Sequence, residues 1–246
     1  MRGKGTRNAI FVLRMLIERA IEVKKDLYVC FVDYEKAFDR VRHAHLITIL
    51  EQVNINGKDL RLIKNLYWNQ EASVKVENDE SETQSIKRGV RQGCVLSPDL
   101  FNLYSEMIMR DLRDMEGIKV GGVNINNIRY ADDTAIVADS HDKLQILINA
   151  LDQSSTERGL SINIKKTEVM VITKDEVPPR TNIRINNETV KQTDSFKYLG
   201  CTVTSDGKCE KEIKIRISMA KDTFGKIKKL ATNSKILMNL TVEGDL

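Results

Sequence analysis

Two adjacent acidic residues, Asp132 and Asp133, interrupt an otherwise largely apolar stretch at residues 128–138. The β-branched and aromatic residues on either side favour strands, whereas Asp favours turns, so this stretch is predicted to form a hairpin with both carboxylates at its tip. Like charges this close raise a pKa or bind a cation, and hard divalent cations such as Mg²⁺ prefer oxygen ligands. An ordinary Asp-containing turn is the simpler explanation of a single pair, so the choice depends on a third acid.

A third carboxylate follows a strand pattern far upstream. Residues 27–32 form a nearly continuous apolar run, which is typical of a strand buried on both faces, and the run ends at Asp33. A carboxylate in this position needs a partner or a metal ion, because an unpaired buried charge is strongly unfavourable. If this strand and the hairpin of Asp132 and Asp133 share a sheet, three carboxylates converge. They can then bridge two Mg²⁺ ions about 3.5–4 Å apart, the arrangement used for in-line phosphoryl displacement.

Composition is that of a globular protein and excludes several other classes. The 246 residues are 41% hydrophobic and 30% charged, which suits a core in one large or two small domains and does not suit a disordered chain. No apolar run approaches the roughly 20 residues that span a bilayer, and the N-terminus has no signal-peptide core, so an intracellular protein without a membrane partner is expected. The four cysteines lack zinc-site spacing and predict neither a zinc centre nor a disulfide framework.

Helical and strand patterns occur along the rest of the chain, which indicates an α/β protein. Helices are expected at residues 45–53, 58–67, 98–112 and 140–159 and over the lysine-rich C-terminal segment, and strands at 72–77, 83–90, 160–164, 169–172, 183–185 and 196–203. Ser97 and Ser140 are candidate N-caps. Five apolar side chains of the C-terminal helix are expected to face inward: Ile213, Ile217, Ala220, Phe224 and Ile227. The lysines of that helix indicate either a solvated face or a surface that follows a phosphate backbone.

Five sequence blocks occur in the order of the palm blocks of reverse transcriptases, and they most resemble those of non-LTR, LINE-like retrotransposons. The blocks are residues 31–39, 89–98, 130–133, 159–167 and 196–200. The resemblance implies a right-hand polymerase fold of the α/β (α+β) class, with an antiparallel palm sheet, packed helices, partial fingers and the start of a thumb. It also implies an N- and C-terminally truncated domain, without the earlier fingers segment, the endonuclease and the usual C-terminal parts.

The same resemblance divides the chain into five segments. Residues 1–26 are a fingers remnant, 27–53 palm with the first acidic strand, 54–90 an insertion between fingers and palm, 91–205 palm with the Asp-Asp hairpin and the primer grip, and 206–246 a partial thumb helix. The carboxylates therefore belong to two palm segments that the insertion separates in sequence.

The resemblance also implies roles for the residues near the metal ions, position by position. Asp33 and Asp132 would be the principal ligands of two Mg²⁺ ions, for which Mn²⁺ can substitute. The backbone carbonyl of Tyr34 would assist, and Asp133 would be a less essential third acid. Lys166 is similar to the lysine that protonates the leaving pyrophosphate.

Contacts to the nucleotide are implied in the same way. Phe38, five residues after Asp33, resembles the steric gate that collides with a ribose 2′-hydroxyl and so favours dNTPs over NTPs. Gln92 and Gly93 would lie against the incoming nucleotide and the template. Lys4 stands where the family usually has an arginine near the triphosphate.

The turn formed by Tyr198, Leu199 and Gly200 resembles the primer grip, which completes the implied polymerase site. The implied reaction is RNA-directed DNA synthesis, in which dNTPs are added to the 3′ end of a DNA primer on an RNA template. The alternative is an inactive truncated derivative that folds and binds nucleic acid through its basic ends without catalysis. A two-metal nuclease is disfavoured because a ribose gate has no purpose there, and an RNA polymerase is disfavoured because Phe38 would exclude its substrates.

Overall fold

The computed structural model describes residues 5–68, 70–91 and 93–231, with side chains described as far as residue 228. The helices of this part are α1 (Thr6–Glu22), α2 (Ala37–Arg40), α3 (His43–Gln52), α4 (Gly57–Tyr67), α5 (Ser97–Arg110), α6 (His141–Glu157) and α7 (Glu210–Ala231). The strands are β1 (Leu27–Val32), β2 (Gln70–Ala72), β3 (Lys75–Val76), β4 (Asp79–Glu80), β5 (Gln84–Ile86), β6 (Ile118–Val120), β7 (Val123–Ile125), β8 (Asn127–Tyr130), β9 (Asp133–Ala138), β10 (Glu168–Ile172), β11 (Arg184–Ile185), β12 (Glu188–Thr189), β13 (Lys191–Gln192), β14 (Ser195–Tyr198) and β15 (Cys201–Thr204). Among the described residues, no helix is long and apolar enough to cross a membrane.

Strand β1 lies in the middle of a five-stranded sheet with the order β13-β10-β1-β9-β8. It pairs antiparallel with β10 on one side and with β9 on the other, β9 pairs antiparallel with β8, and β13 runs parallel to β10. The sequence of β1 is apolar at every position, so the strand is compatible with burial on both faces. The strand predicted at residues 27–32 and the hairpin predicted at 128–138 are therefore both confirmed, and so is the antiparallel α/β fold.

Helices cover both faces of this sheet. Cys30 and Val32 belong to a core layer with side chains of α3, α5 and α6. Val29 and Phe31 belong to a second layer with α1 and with Tyr198 from the β14–β15 hairpin. All four β1 side chains are buried, and each large apolar side chain contributes roughly 1.5–3 kcal/mol when it leaves water. The end of β1 is therefore held in place from both sides.

The segment between α4 and α5 is a long hairpin that lies outside this sheet. β2 pairs antiparallel with β5, and further out β3 pairs with β4. The hairpin predicted from residues 72–77 and 83–90 is confirmed, with shorter strands than the pattern indicated. Its side chains are mostly exposed, so it projects from the core.

The strand predicted at residues 160–164 is wrong. Only Ile162 forms a bridge there, antiparallel with Tyr34. The chain turns after Asn163, whose carbonyl accepts a hydrogen bond from the Lys166 N–H at 3.1 Å. This turn ends the apolar run before a ladder can extend, and the next strand is β10.

The two predicted N-caps have different outcomes. Ser140 caps α6, because its hydroxyl accepts a hydrogen bond from the Lys143 N–H at 3.3 Å. Ser97 is not a cap but the first residue of α5, which has Leu96 at the N-cap position. The Ser97 hydroxyl instead donates to the Arg91 carbonyl at 2.6 Å and closes the loop before the helix.

The inward face predicted for the C-terminal helix is also wrong. The five apolar side chains expected to be buried in α7 are exposed: Ile213, Ile217, Ala220, Phe224 and Ile227. Three polar side chains, Lys211, Glu212 and Arg216, contact the β14–β15 hairpin instead. Within the part of the chain that the structure describes, these polar contacts dock the helix and leave its apolar side chains uncovered.

The buried thiol of Cys30 offers a test of this two-sided core. Cys30 is fully buried in β1, and burial raises the pKa of its thiol, whereas Cys209 is exposed. Cys30→Ser places a hydroxyl among apolar side chains and should lower the free energy of unfolding by about 1–3 kcal/mol, measured by chemical denaturation. Cys209→Ser, the matched control, should change it by no more than about 0.5 kcal/mol. Equal stabilities of the two variants would contradict the placement of β1.

Candidate active site

The pairing of β1 with β9 brings two of the predicted carboxylates together. The last residue pair of this ladder is Val32 with Thr134. One step further along the same antiparallel register, Asp33 lies opposite Asp133. Both residues stand at the edge of the sheet where β1 ends and β9 begins, so their carboxylates lie at one end of the palm sheet.

The pairing of β1 with β10 places Lys166 at the same edge. The last pair of this ladder is Phe31 with Glu168, and Lys166 lies in the turn that immediately precedes β10. The Lys166 ammonium lies 3.8 Å from Asp33 Oδ2, and the Asp33 N–H donates to Thr167 Oγ1 at 3.3 Å. The lysine side chain is 70% exposed, so it can move toward a ligand in the cleft.

The β8–β9 hairpin presents Asp132 at its tip. Tyr130 pairs with Asp133, so Ala131 and Asp132 form a two-residue loop. Ala131 has a φ of 54°, in the left-handed region that a residue with a Cβ rarely adopts. The tight loop that requires this strained conformation places Asp132 next to Asp133, and both side chains are exposed.

An ion pair anchors the hairpin to α5. The Arg129 guanidinium on β8 donates to Glu106 Oε2 at 2.7 Å and to Asn127 Oδ1 at 3.0 Å. Arg129 is three-quarters buried, which makes this pair more effective than one fully in water. This ion pair therefore holds β8 against α5 and limits the movement of the loop that carries Asp132.

Burial and mutual repulsion of the acids at this edge outweigh the one positive charge beside them. Desolvation raises the pKa of Asp33, and the nearby Asp132 raises it further, while Lys166 acts in the opposite direction. Desolvation also raises the pKa of Asp133, with added repulsion from Asp132 and Asp33. Asp33 Oδ2 is buried and accepts no hydrogen bond from any residue that the structure describes. A cation bound between the carboxylates would relieve both the repulsion and the unsatisfied oxygen.

The carboxylates do not form a closed metal cage. No group of three or more His, Cys, Asp or Glu side chains among the described residues is arranged to hold a metal ion by itself. Such an open site suits Mg²⁺, which is usually held by one or two carboxylates together with water and substrate phosphates. The residues present therefore fit a divalent cation whose coordination a phosphate substrate completes.

A cleft of about 190 Å³ opens beside the acids. Its lining residues are Phe31, Val32, Asp33, Asp133, Thr134, Lys166, Phe196 and Tyr198. One side is acidic with a single lysine, and the other is aromatic. Asp132, Phe38 and Gly93 are not among the residues that line it.

The aromatic side belongs to the predicted primer-grip hairpin. Tyr198 pairs with Cys201, which leaves Leu199 and Gly200 as a two-residue loop, and both have positive φ (49° and 79°), as tight hairpin loops require. The Phe31 and Phe196 rings stack at 4.2 Å. The hairpin is thereby packed directly against β1, next to the acids.

Three charged residues that the sequence did not single out for this purpose hold the hairpin. Arg14 on α1 donates to the Thr202 carbonyl at 2.8 Å, and Glu212 on α7 accepts from the Thr202 N–H at 2.7 Å. Arg216, paired with Glu212, donates to the Gly200 carbonyl at 2.5 Å. The only feature of the sequence that pointed to these contacts is the charged Arg14, which lies among apolar residues in α1.

The remaining predicted contacts lie elsewhere or outside the described residues. Phe38 is half-buried, with its ring stacked on Phe101 at 4.6 Å. Gly93 is exposed with a φ of 78° in the loop before α5. Gln92 and Lys4 fall outside the described residues.

Tyr34 directly follows Asp33, and its side chain is anchored to α6. Its buried hydroxyl is hydrogen-bonded to Ser155 Oγ at 3.2 Å. The two backbone bonds that flank its bridge join Glu35 to Ser161 and Asn163 to Asp33. The Tyr34 carbonyl therefore takes no part in pairing with Ile162, as is usual for a non-hydrogen-bonded antiparallel pair.

A largely antiparallel sheet with helices on both faces and acids at one edge is the arrangement expected of a polymerase palm. The structure is similar to that of the apo telomerase from Candida tropicalis truncated from its C-terminal domain, with a TM-score of 0.57 at 17% identity over 80% of this chain and 38% of that one. It is also similar to the telomerase of the same organism in complex with a TWJ fragment of telomeric RNA, with a TM-score of 0.59 at 14% identity over 82% of this chain and 32% of that one. At these identities the likeness supports the fold alone.

Sequence comparison identifies the family. The family model described as reverse transcriptase (RNA-dependent DNA polymerase) matches residues 4–203, and the chain belongs to this family. The Pol polyprotein of the type-1 retrotransposable element R2 from Nasonia vitripennis is 27% identical over 86% of this chain and 21% of that protein. The RNA-directed DNA polymerase from mobile element jockey of Drosophila funebris is 29% identical over 74% of this chain and 20% of that protein. These relatives are non-LTR retrotransposon polymerases, and the chain spans about a fifth of their length.

The repulsion among the acids predicts the effect of removing one charge. Because the folded-state pKa of Asp133 is raised, the folded protein binds more protons than the unfolded chain above about pH 4, and stability falls as pH rises through that window. In metal-free buffer near about pH 7, Asp133→Asn should therefore raise the free energy of unfolding by about 0.2–1 kcal/mol, the range for exposed charges. Below about pH 4 the gain should disappear.

The control variant should change the free energy of unfolding in the opposite direction. The pKa of Asp206 is lowered, chiefly by a hydrogen bond from Thr204, so Asp206→Asn should destabilise the protein at neutral pH. Denaturation of both variants across the pH range checks the pair. A loss of stability in Asp133→Asn at neutral pH would contradict the electrostatic description of the site.

Proposed function

We propose that this chain catalyses RNA-directed DNA synthesis, the addition of dNTPs to a DNA primer 3′ end on an RNA template, with two bound Mg²⁺ ions for which Mn²⁺ can substitute. The observation that carries the proposal is the buried Asp33 Oδ2, which accepts no hydrogen bond from the described residues, beside two further carboxylates at the edge of the palm sheet. The family's description as RNA-dependent DNA polymerases supports the choice of template.

Each residue at the sheet edge has a defined task in this proposal. Asp33 and Asp132, with the unpaired Tyr34 carbonyl, would hold the ions, and Asp133 would add negative charge to the same site. When bound, the ions lower the pKa of the attacking 3′-hydroxyl and neutralise charge on the phosphates. Lys166, which is exposed and 3.8 Å from Asp33, would protonate the leaving pyrophosphate.

The neighbouring loops would position the primer and the nucleotide. The backbone of Leu199 and Gly200 lies at the tip of a hairpin stacked on β1, which suits a primer 3′ end held next to the acids. Gln92 and Gly93 would contact the incoming nucleotide and template. Gly93 supports this role because a Cβ at its position meets nothing within 4 Å, so the loop is open to a ligand.

Primer extension tests the proposal directly. Wild-type protein should extend a DNA primer on an RNA template with Mg²⁺ and dNTPs, and Asp132→Ala should reduce the rate at least about a hundredfold, because it removes a metal ligand. Asp142→Ala, which removes an exposed carboxylate at the start of α6, should extend at the wild-type rate. No extension by a wild-type chain with an intact circular dichroism spectrum would mean that the chain is an inactive derivative.

Phe38 tests the choice of sugar. If its ring collides with a ribose 2′-hydroxyl, Phe38→Ala should lower the preference for dNTPs over NTPs by at least about tenfold in single-nucleotide extension. Phe38→Tyr retains the ring and should retain the preference. Because the ring stacks on Phe101, the unfolding midpoint of both variants must be measured alongside. Unchanged rejection of NTPs by folded Phe38→Ala would exclude the gate role.

A further inference from the structure

A larger cavity lies away from the acidic cleft, between α3, the end of α4 and the base of the projecting hairpin. It has a volume of about 680 Å³, within the range of ligand pockets, and it shares no lining residue with the cleft. We name it the Trp68 pocket, after the one tryptophan in the chain, which lines it and is 49% exposed. Nothing in the catalytic proposal uses this pocket.

Positive charge is concentrated in the Trp68 pocket. Its lining contains three cations, Arg42, Lys87 and Arg88, and one carboxylate, Glu71. None of the three cations forms an ion pair with an acid in the described part of the chain; the Arg42 guanidinium packs against Gly159, whereas Lys87 and Arg88 are exposed to a ligand. The pocket is therefore an anion site by charge.

The backbone forces two of these cations together. Arg42 and Arg88 are directly opposite each other in an antiparallel bridge, an arrangement that is unfavourable for like charges. The bridge is held on one side by His43, whose backbone N–H donates to the Lys87 carbonyl at 3.1 Å and whose ring Nε2 donates to the Gly89 carbonyl at 2.8 Å. An anion bound beside the exposed Arg88 guanidinium would offset this repulsion.

The pocket wall is connected to the loop that precedes α5. The Ser97 hydroxyl gives its one proton to the Arg91 carbonyl at 2.6 Å, so the Tyr67 hydroxyl must donate to Ser97 Oγ, at 3.5 Å. Tyr67 lines the pocket, and Gly93 lies in the connected loop.

From this combination we propose that the Trp68 pocket binds single-stranded RNA, with one base stacked on the indole and the adjacent phosphates paired with Lys87 and Arg88. An exposed aromatic face next to unpaired cations is the combination by which proteins hold single strands without reading their sequence. An acidic peptide would need the cations but not the indole. The proposal rests on the proposed function in its choice of RNA, since the strand would be the unpaired template ahead of the site.

The tryptophan itself reports binding, because no other tryptophan contributes fluorescence. Titration with a single-stranded RNA of about eight nucleotides should quench the emission, whereas an abasic chain of the same length or inorganic phosphate should leave it nearly unchanged. Trp68→Leu should weaken the binding of fluorescently labelled RNA about tenfold. Trp68→Phe keeps an aromatic ring and should lose less affinity. Unchanged emission with RNA, or equal quenching by inorganic phosphate, would overturn the proposal.

A matched pair of double variants tests the cations. Lys87→Ala with Arg88→Ala should weaken RNA binding and reduce the slope of log affinity against log salt by about 1.4, the value for two phosphate contacts on a single strand. Lys174→Ala with Arg180→Ala removes the same charge from exposed positions outside the pocket and should leave the slope unchanged. Equal losses in the two double variants would overturn the proposal.

The catalytic variant separates this proposal from the proposed function. RNA should quench the Trp68 fluorescence of Asp132→Ala as it does that of the wild type, although this variant does not extend primers. Failure of the wild type to extend primers, together with normal quenching, would reject the polymerase proposal and leave the pocket as an RNA site. Normal extension without quenching would reject the pocket alone.

Discussion

The antiparallel register of β1 with its two neighbours is the constraint on which the rest of the site depends. It sets Asp33 opposite Asp133 on one side and next to the turn that carries Lys166 on the other, at the edge where one strand ends and two begin. A slip of one residue would turn every side chain of β1 to the other face, and both faces are packed. The burial of β1 thus fixes Asp33 beside Asp133, where desolvation and then repulsion among the acids raise the pKa of both carboxyls.

Parts far apart in the chain surround this edge. The first helix contributes Arg14, and the last contributes Glu212 and Arg216, which meet on the backbone of the β14–β15 hairpin. These hydrogen bonds involve charged groups and so are stronger than neutral ones. The proposed primer position is therefore supported by both ends of the described chain.

The sequence allowed the acidic edge to be predicted because its elements have strong local signals. The apolar run of β1 and the Asp132–Asp133 turn each specify a strand or hairpin, and the order of the five blocks specifies the family. Long-range contacts had no such signal. Neither the pairing of Arg42 with Arg88 nor the contact of Arg14 with Thr202 follows from spacing, because each depends on tertiary packing.

The errors have the same origin. The apolar spacing of α7 indicated a buried face, yet three polar side chains dock the helix and the apolar ones remain exposed. Residues 160–164 read as a strand, but the turn after Asn163 left only one bridge. Local patterns specify which structure a segment can form, and neighbouring elements decide which face is covered.

The central claim is that the sheet edge is a divalent-cation site completed by a nucleotide. Electron paramagnetic resonance of Mn²⁺ tests it, because free and bound Mn²⁺ are distinguished without any turnover. With primer, template and a non-hydrolysable dNTP, the wild type should bind about two ions per chain, and it should bind them much more weakly without the nucleotide. Asp33→Asn, which keeps the shape and removes the charge, should lose this binding. The same Mn²⁺ binding in the wild type and in a folded Asp33→Asn variant would contradict the account.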